Sequence, residues 1–274
     1  MIRRSNRKTS KIGQNFLVDG NTARFMCATA DIRSDDRILE IGPGKGMLTR
    51  YILEAQPSRL YAVELDKRFF AELTALVEAN PNLIITWEDA LSVDYRTSFD
   101  PPPNKVVANI PYQITTDLVW KLVEEAAPSG SIYFILMVQK EAAERLCASP
   151  GTRRSNPLSV TLGKIATMEV LLTVPPSAFR PSPKVESALL QVRLEKPLFI
   201  KENPRWRIFV ESAFRQRRKT LFNNFTASLR LEREQVITWF ENCDLPLNRR
   251  AEELNIEQWD ALYSFWLKYL RAAP

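Results

Sequence analysis

Between residues 37 and 138, short β-rich apolar runs alternate with stretches of helical periodicity, and no other feature constrains the fold of the chain as strongly. Strands are expected at 37–41, 59–65, 82–87, 105–109 and 131–138. Helices are expected at 47–55, 66–79 and 115–126, with Asp66 placed to cap the second. The breaker Asp100-Pro101-Pro102-Pro103-Asn104 sets off the fourth strand. Strands separated by helices argue for a parallel sheet covered on both faces. Two further runs, 168–174 and 185–194, have only a proline-rich loop between them. They are expected as an antiparallel hairpin at one sheet edge.

After Lys196-Pro197 the texture changes. The last glycine is Gly163, and aromatic and aliphatic residues then recur at helical spacing: Trp206, Phe209, Val210, Phe214; Val236, Trp239, Phe240; Trp259, Leu262, Phe265, Trp266. The chain of 274 residues thus divides into an α/β domain over 1–198 and a small all-helical domain over 199–274. The aromatic stripes belong to a core rather than to a base-stacking platform.

Composition removes whole classes of mechanism. There is no histidine, hence no Ser-His-Asp triad, no His-ligated zinc and no imidazole base. Cys27, Cys147 and Cys243 are far apart and suggest neither a disulfide framework nor a metal site. No apolar run approaches the roughly 18–20 residues that span a bilayer, and no signal core follows the basic start. A soluble, cytoplasmic, monomeric protein without a metal is expected.

The positive charge is concentrated in two places. Residues 1–18 carry Arg3, Arg4, Arg7, Lys8 and Lys11 with no acidic residue, and residues 205–219 carry six basic side chains against Glu211 alone. The net charge is +6, so the remainder of the chain is mildly acidic. Clustered Lys and Arg gain from counterion release on a polyanion. Arg3, Arg4 and Lys8, and Arg215, Arg217, Arg218 and Lys219, are therefore candidate RNA contacts, with membrane lipid the weaker alternative.

Three motifs carry the chemistry. Glu40-Ile41-Gly42-Pro43-Gly44-Lys45-Gly46 closes the first strand, where glycines let a ligand approach the backbone. Glu64, 22 positions after Gly42, closes the second strand, where a carboxylate accepts from ribose hydroxyls. The GxGxG spacing and Met47 depart from a dinucleotide fingerprint, and an adenosine-type ligand such as S-adenosylmethionine fits better than NAD. Asp89, after the third strand, is placed to accept from an adenine amine.

Asn109-Ile110-Pro111-Tyr112 closes the fourth strand and is the sharpest signal. An exocyclic adenine amine is a poor nucleophile because its lone pair is delocalised into the ring. The Asn109 amide oxygen and the Ile110 carbonyl are able to accept its two hydrogens and free the lone pair. Pro111 fixes the turn, and Tyr112 offers a face for an extruded base. In Phe179-Arg180-Pro181-Ser182-Pro183-Lys184-Val185, Phe179 is a candidate for the second face of that sandwich and Lys184 for a phosphate contact.

These three motifs, with Gly13-Gln14-Asn15-Phe16-Leu17-Val18-Asp19 before them and Arg217-Arg218-Lys219-Thr220-Leu221-Phe222-Asn223-Asn224 after, resemble the ribosomal RNA adenine dimethyltransferases. The resemblance is strongest to the small-subunit, KsgA/RsmA type. It implies a class I S-adenosylmethionine-dependent methyltransferase fold: Rossmann-like, with a seven-stranded mostly parallel sheet, its last strand antiparallel, plus a small helical domain. As substrate it implies two adjacent adenines near the 3′ end of small-subunit ribosomal RNA, within a pre-assembled subunit, each methylated twice at N6. It also implies a cofactor pocket lined by Gln14, Asn15, Leu17, Gly42, Gly44, Glu64, Leu65, Asp89, Ala90 and Asn109. The chain departs from the family in Gln113-Ile114-Thr115, where Asn or Ser often follows the NxPY motif. Three other readings remain: a large-subunit adenine dimethyltransferase, a DNA adenine methyltransferase, and a non-catalytic RNA-binding assembly factor on the same fold.

Overall fold

The computed structural model describes residues 15–272. The expected contacts of Arg3, Arg4, Lys8 and Gln14 lie outside the described residues. The strands are β1 (Phe16–Leu17), β2 (Arg37–Ile41), β3 (Arg59–Val63), β4 (Leu83–Thr86), β5 (Lys105–Asn109), β6 (Tyr133–Gln139), β7 (Ala166–Val174), β8 (Phe179–Arg180) and β9 (Ser187–Leu194). Seven of them form one sheet in the order β4-β3-β2-β5-β6-β9-β7, parallel from β4 to β6. The late hairpin forms at the edge, with β9 between β6 and β7 and antiparallel to both. The remaining two strands, β1 and β8, pair antiparallel as a separate ribbon.

Helices α1 (Gly20–Thr29), α2 (Met47–Glu54), α3 (Phe70–Ala79), α4 (Thr115–Lys121), α5 (Lys140–Leu146) and α6 (Pro157–Ile165) lie along the strand-bearing part. Asp66 does cap the segment after β3, accepting from the Arg68 N–H at 3.0 Å, but the first turn is 3₁₀ before α3 begins. The helix expected over 115–126 changes its winding instead of ending: α4 runs into a π turn, Leu122–Ala126. α6 opens on a capping box, with the Asn156 side chain accepting from the Ser159 N–H and Pro157 in the first turn.

The strands read as continuous apolar runs because both sheet faces are covered. Leu39, Tyr61, Val106, Phe134, Leu136 and Leu190 join one buried cluster. Their neighbours Ile38, Leu60, Val107, Ile135, Met137 and Leu189 join the other. This is the period-two alternation of a strand with a core on either side.

From residue 199 onward the chain is helical: α7 (Phe199–Glu202), α8 (Trp206–Phe214), α9 (Leu221–Leu229), α10 (Arg233–Asn242) and α11 (Ile256–Ala272). The aromatic stripes are core. The Phe209 ring lies 4.9 Å from that of Phe225 and 5.3 Å from those of Tyr263 and Trp266. The buried Trp206 indole donates to Thr161 Oγ1 of α6 at 2.9 Å. Arg207 lies over the Trp120 ring of α4 and pairs with Glu124 at 2.9 Å. Among the described residues no helix is long and apolar enough to cross a membrane.

Candidate active site

The chain order visits β3 and β4 on one side of β2, then β5 and β6 on the other. The carboxyl ends of β2 and β5 therefore border a crevice at the point where the strand order reverses. The glycine turn, Glu64, Asp89 and Asn109 all follow the carboxyl ends of parallel strands, which brings them to one rim of the sheet.

Gly42 has φ +68° and donates its N–H to the Val63 carbonyl at 2.9 Å. A Cβ placed on it would lie 3.9 Å from Pro111 Cδ and 4.0 Å from the Asn109 carbonyl oxygen, so the turn after β2 faces the turn after β5 directly. Gly44, at φ +56°, donates to Glu64 Oε2 at 2.9 Å, and an added Cβ would meet the Phe16 ring at 3.0 Å. Bare backbone is required at both positions.

Glu64 is buried and held on both oxygens, Oε1 accepting from the Asp66 N–H at 2.8 Å. Burial raises its carboxyl above the ordinary range, against the pull of these backbone donors. Each oxygen keeps a second lone pair for a ligand hydroxyl. Leu65 beside it is 52% exposed, an apolar step at the crevice rim. Asp89 Oδ1 caps the next turn by accepting from the Leu91 N–H at 2.9 Å, and Oδ2 takes no part in that cap. Ala90 is buried, its carbonyl accepting from the Tyr95 hydroxyl at 2.9 Å.

Glu40 is the residue that motif reading passed over. It is wholly buried, and Oε2 has no hydrogen-bond partner. Burial pushes its carboxyl up to about 8, with the charge of Glu64 adding to the shift. Among the described residues no group of three His, Cys, Asp or Glu side chains is placed to hold a metal ion.

At the end of β5, Asn109 is half-buried and its Nδ2 donates to the Asn15 carbonyl at 3.4 Å. This contact uses the amide nitrogen and leaves Oδ1 as an acceptor. The Ile110 N–H is tied to the Met137 carbonyl at 3.0 Å and its side chain is buried; among the described residues nothing donates to the Ile110 carbonyl. Pro111 holds φ −57° and ψ 128°, from which a short 3₁₀ turn, Tyr112–Ile114, departs. Tyr112 is half-buried, and its hydroxyl lies 2.7 Å from Ser187 Oγ.

Phe179 differs from the expectation of an open ring. It is fully buried, paired opposite Leu17 in the β1–β8 ribbon and enclosed in the cluster that holds Met26 and Met137. Tyr112 is thus the ring of the two that reaches the surface. Asn15 and Leu17 enter the site through β1, Asn15 by its carbonyl and Leu17 as a buried contact of Phe179. Lys184 is exposed in the loop before β9.

Arg215, Arg217, Arg218 and Lys219 are exposed between α8 and α9, away from the crevice motifs in sequence. Gln216, Arg217, Arg218 and Lys219 border an open surface concavity. Arg217 also donates to the Arg153 carbonyl at 2.9 Å, which adds the loop before α6 to the same basic surface. Sequence reasoning missed Arg153 and Ser187. For Ser187, the available signal was its place two residues after the Phe179–Val185 motif.

Comparison with known proteins shows what the chain is similar to. The pattern of the ribosomal RNA adenine dimethylase family matches residues 5–267. The ribosomal RNA small subunit methyltransferase A of Alkaliphilus metalliredigens (strain QYMF) is 38% identical over 263 residues, covering 93% of this chain and 91% of that protein. A crystal structure of a dimethyladenosine transferase from Plasmodium falciparum superposes with a TM-score of 0.75 at 25% identity, covering 92% of this chain and 98% of that one. The crystal structure of the 23S rRNA methyltransferase ErmE gives a TM-score of 0.66 at 26% identity, with 92% and 99% covered.

Proposed function

Because the chain belongs to the ribosomal RNA adenine dimethylase family, we propose that it dimethylates N6 of two adjacent adenosines near the 3′ end of small-subunit ribosomal RNA, with S-adenosylmethionine as donor. The relatives at 38% identity over 93% of this chain are named small-subunit methyltransferases, which favours the small subunit over the large. The observation that carries the reading is the abutment of the two turns. Gly42 on the donor side lies against Asn109 and Pro111 on the acceptor side, with no side chain between.

The residues present suit this donor. Glu64 has lone pairs left for a ribose, Asp89 Oδ2 for an adenine amine, and exposed Leu65 for the apolar face of that base. The unpartnered Glu40 oxygen behind the glycine turn is complementary to a cationic ligand. When bound, S-adenosylmethionine supplies a methyl group made electrophilic by the positive sulfur.

The chain's own part is to orient and activate the acceptor. Asn109 Oδ1 and the Ile110 carbonyl take the two hydrogens of the target amine, drawing nitrogen toward tetrahedral geometry and releasing its lone pair. Tyr112 stacks on the extruded base. No general base is required, since the alkylated ammonium is strongly acidic and sheds its proton to water. That accords with a chain lacking histidine.

The helical segment from residue 199 and the Arg217–Lys219 turn are the RNA-facing part of a cytoplasmic monomer that acts on a pre-assembled small subunit. Lys184 adds a phosphate contact, and Phe179 supports the site from within the β1–β8 ribbon. The test is transfer of tritiated methyl from S-adenosylmethionine to undermethylated small subunits, undermethylated large subunits and plasmid DNA, followed by nucleoside analysis. N6,N6-dimethyladenosine in small-subunit RNA, near four methyls per particle, is the expected result. Label confined to large-subunit RNA or DNA overturns it. RNA binding without any label makes the chain an assembly factor.

A further inference from the structure

Ser187 is the first residue of β9, and its side chain is fully buried. Because β9 runs antiparallel to β6, its beginning lies at the same rim as the ends of the parallel strands, opposite Gln139 and Val174. The Ser187 hydroxyl meets the Tyr112 hydroxyl there at 2.7 Å. This contact, in which either hydroxyl can donate, ties a half-buried ring to a strand in the sheet core. The tether holds the far end of the ring in place, so that the ring stays where it stands beside the turn after β5.

We propose that Ser187 is a positioning residue that anchors the hydroxyl end of the Tyr112 ring, setting where the ring stands, and thereby governs the second methyl transfer to each adenine. This inference rests on the adenine-N6 reading above. In the first transfer the target amine donates two hydrogens, to Asn109 Oδ1 and to the Ile110 carbonyl, so polar contacts fix the base from two directions. The nitrogen lone pair forms the new bond to the methyl carbon, the carbon–sulfur pair stays on sulfur as a neutral thioether, and one amine proton passes to water. The product keeps a single N–H. One acceptor contact is lost, and orientation of the base then depends more on the stacked ring. A Tyr112 ring released from Ser187 is expected to fail there first.

The experiment is nucleoside analysis over time with the full chain and undermethylated small subunits, comparing wild type, Ser187→Ala, Tyr112→Phe and the double variant. Ser187→Ala is expected to slow the first transfer no more than about 3-fold and the second by about 10-fold or more, so that N6-methyladenosine accumulates while S-adenosylmethionine affinity stays unchanged. Tyr112→Phe, which keeps the ring and removes the tether, should reproduce this. The double variant should be no worse than either single one. Ser187→Thr, which keeps the hydroxyl, should recover part of the normal product ratio. A wild-type product ratio in Ser187→Ala, additive losses in the double variant, or a lowered melting temperature with an unchanged ratio overturns the inference alone. Absence of any methylated adenine with the wild-type chain overturns the adenine-N6 reading and this inference with it.

Discussion

Two polar side chains stand at the rim of the sheet, one a neutral amide and the other an ionisable carboxyl. Asn109 is held on its nitrogen side by the Asn15 carbonyl, which leaves its amide oxygen as an acceptor. Substituting Asn109→Ala should therefore lower kcat by about 10²–10³-fold, the loss typical of one preorganised polar contact to the reacting group. RNA affinity, read by filter binding on the same variant, should stay within a few-fold of wild type. An equal collapse of both would assign Asn109 to folding rather than chemistry. Glu40 acts through charge. Its carboxyl is raised from 4.5 to about 8 by burial and by Glu64. As pH rises between those values, the unfolded chain has lost a proton that the folded chain still holds. Stability accordingly falls with rising pH across that window, by at most about 1.4 kcal/mol per unit. A cationic ligand reverses the preference, so S-adenosylmethionine binding near pH 7.5 should release a proton. Calorimetry in buffers of different ionisation enthalpy reads that proton, and Glu40→Gln should abolish it. A wild-type signal independent of buffer would separate Glu40 from the ligand's charge.

At the scale of elements, what the sequence displays is what local periodicity encodes. β2 and β5 stand at the expected residues, and the other strands of the large sheet differ from expectation by one or two residues at their ends. The glycine turn and the Asn109–Tyr112 turn were legible because φ above zero and a fixed proline leave few residue choices. The β1–β8 ribbon was not legible. Two residues carry no period, and their partners lie more than 160 positions away. That ribbon encloses Phe179, which sequence alone presents as an available ring. α6 was legible and passed over, since Asn156, Pro157 and Ser159 spell out its start. The first two glycines of the turn separate the ribbon's role from the ligand's. Gly44→Ala drives a methyl to 3.0 Å from Phe16 of β1 and strains φ, so it should cost about 1–3 kcal/mol of stability. Gly42→Ala meets nothing closer than 3.9 Å, and its methyl projects toward Asn109 and Pro111. It shares the strain of a positive φ but not the clash, so it should lower the melting temperature less than Gly44→Ala does and weaken S-adenosylmethionine binding. Thermal melts with and without the cofactor distinguish the two, and equal behaviour would remove the β1 contact from the account.

For the whole molecule, charge and chemistry occupy different segments. The rim of the sheet is built from Gly, Asn, Pro, Tyr and buried carboxylates, whereas Arg215, Arg217, Arg218 and Lys219 project from the turn between α8 and α9, joined to the loop before α6 through Arg153. On the proposed reading, the rim residues described above engage a single adenine, and selection of the substrate then depends on where the RNA docks on the basic surface. Such docking is driven by counterion release, and its signature is the salt dependence of affinity rather than affinity itself. Each phosphate contact on single-stranded RNA contributes about 0.7 to the slope of log K against log salt. Replacing Arg217, Arg218 and Lys219 together by alanine should therefore reduce that slope by about 2, with S-adenosylmethionine affinity unmoved. The loss in affinity should be largest at low salt and shrink as salt rises, because the removed interactions are those that salt screens. Fluorescence anisotropy with a labelled small-subunit hairpin at four or more salt concentrations measures it. A parallel shift, with weaker binding at an unchanged slope, would mean that these side chains shape the turn between α8 and α9 and that the phosphates lie against another face.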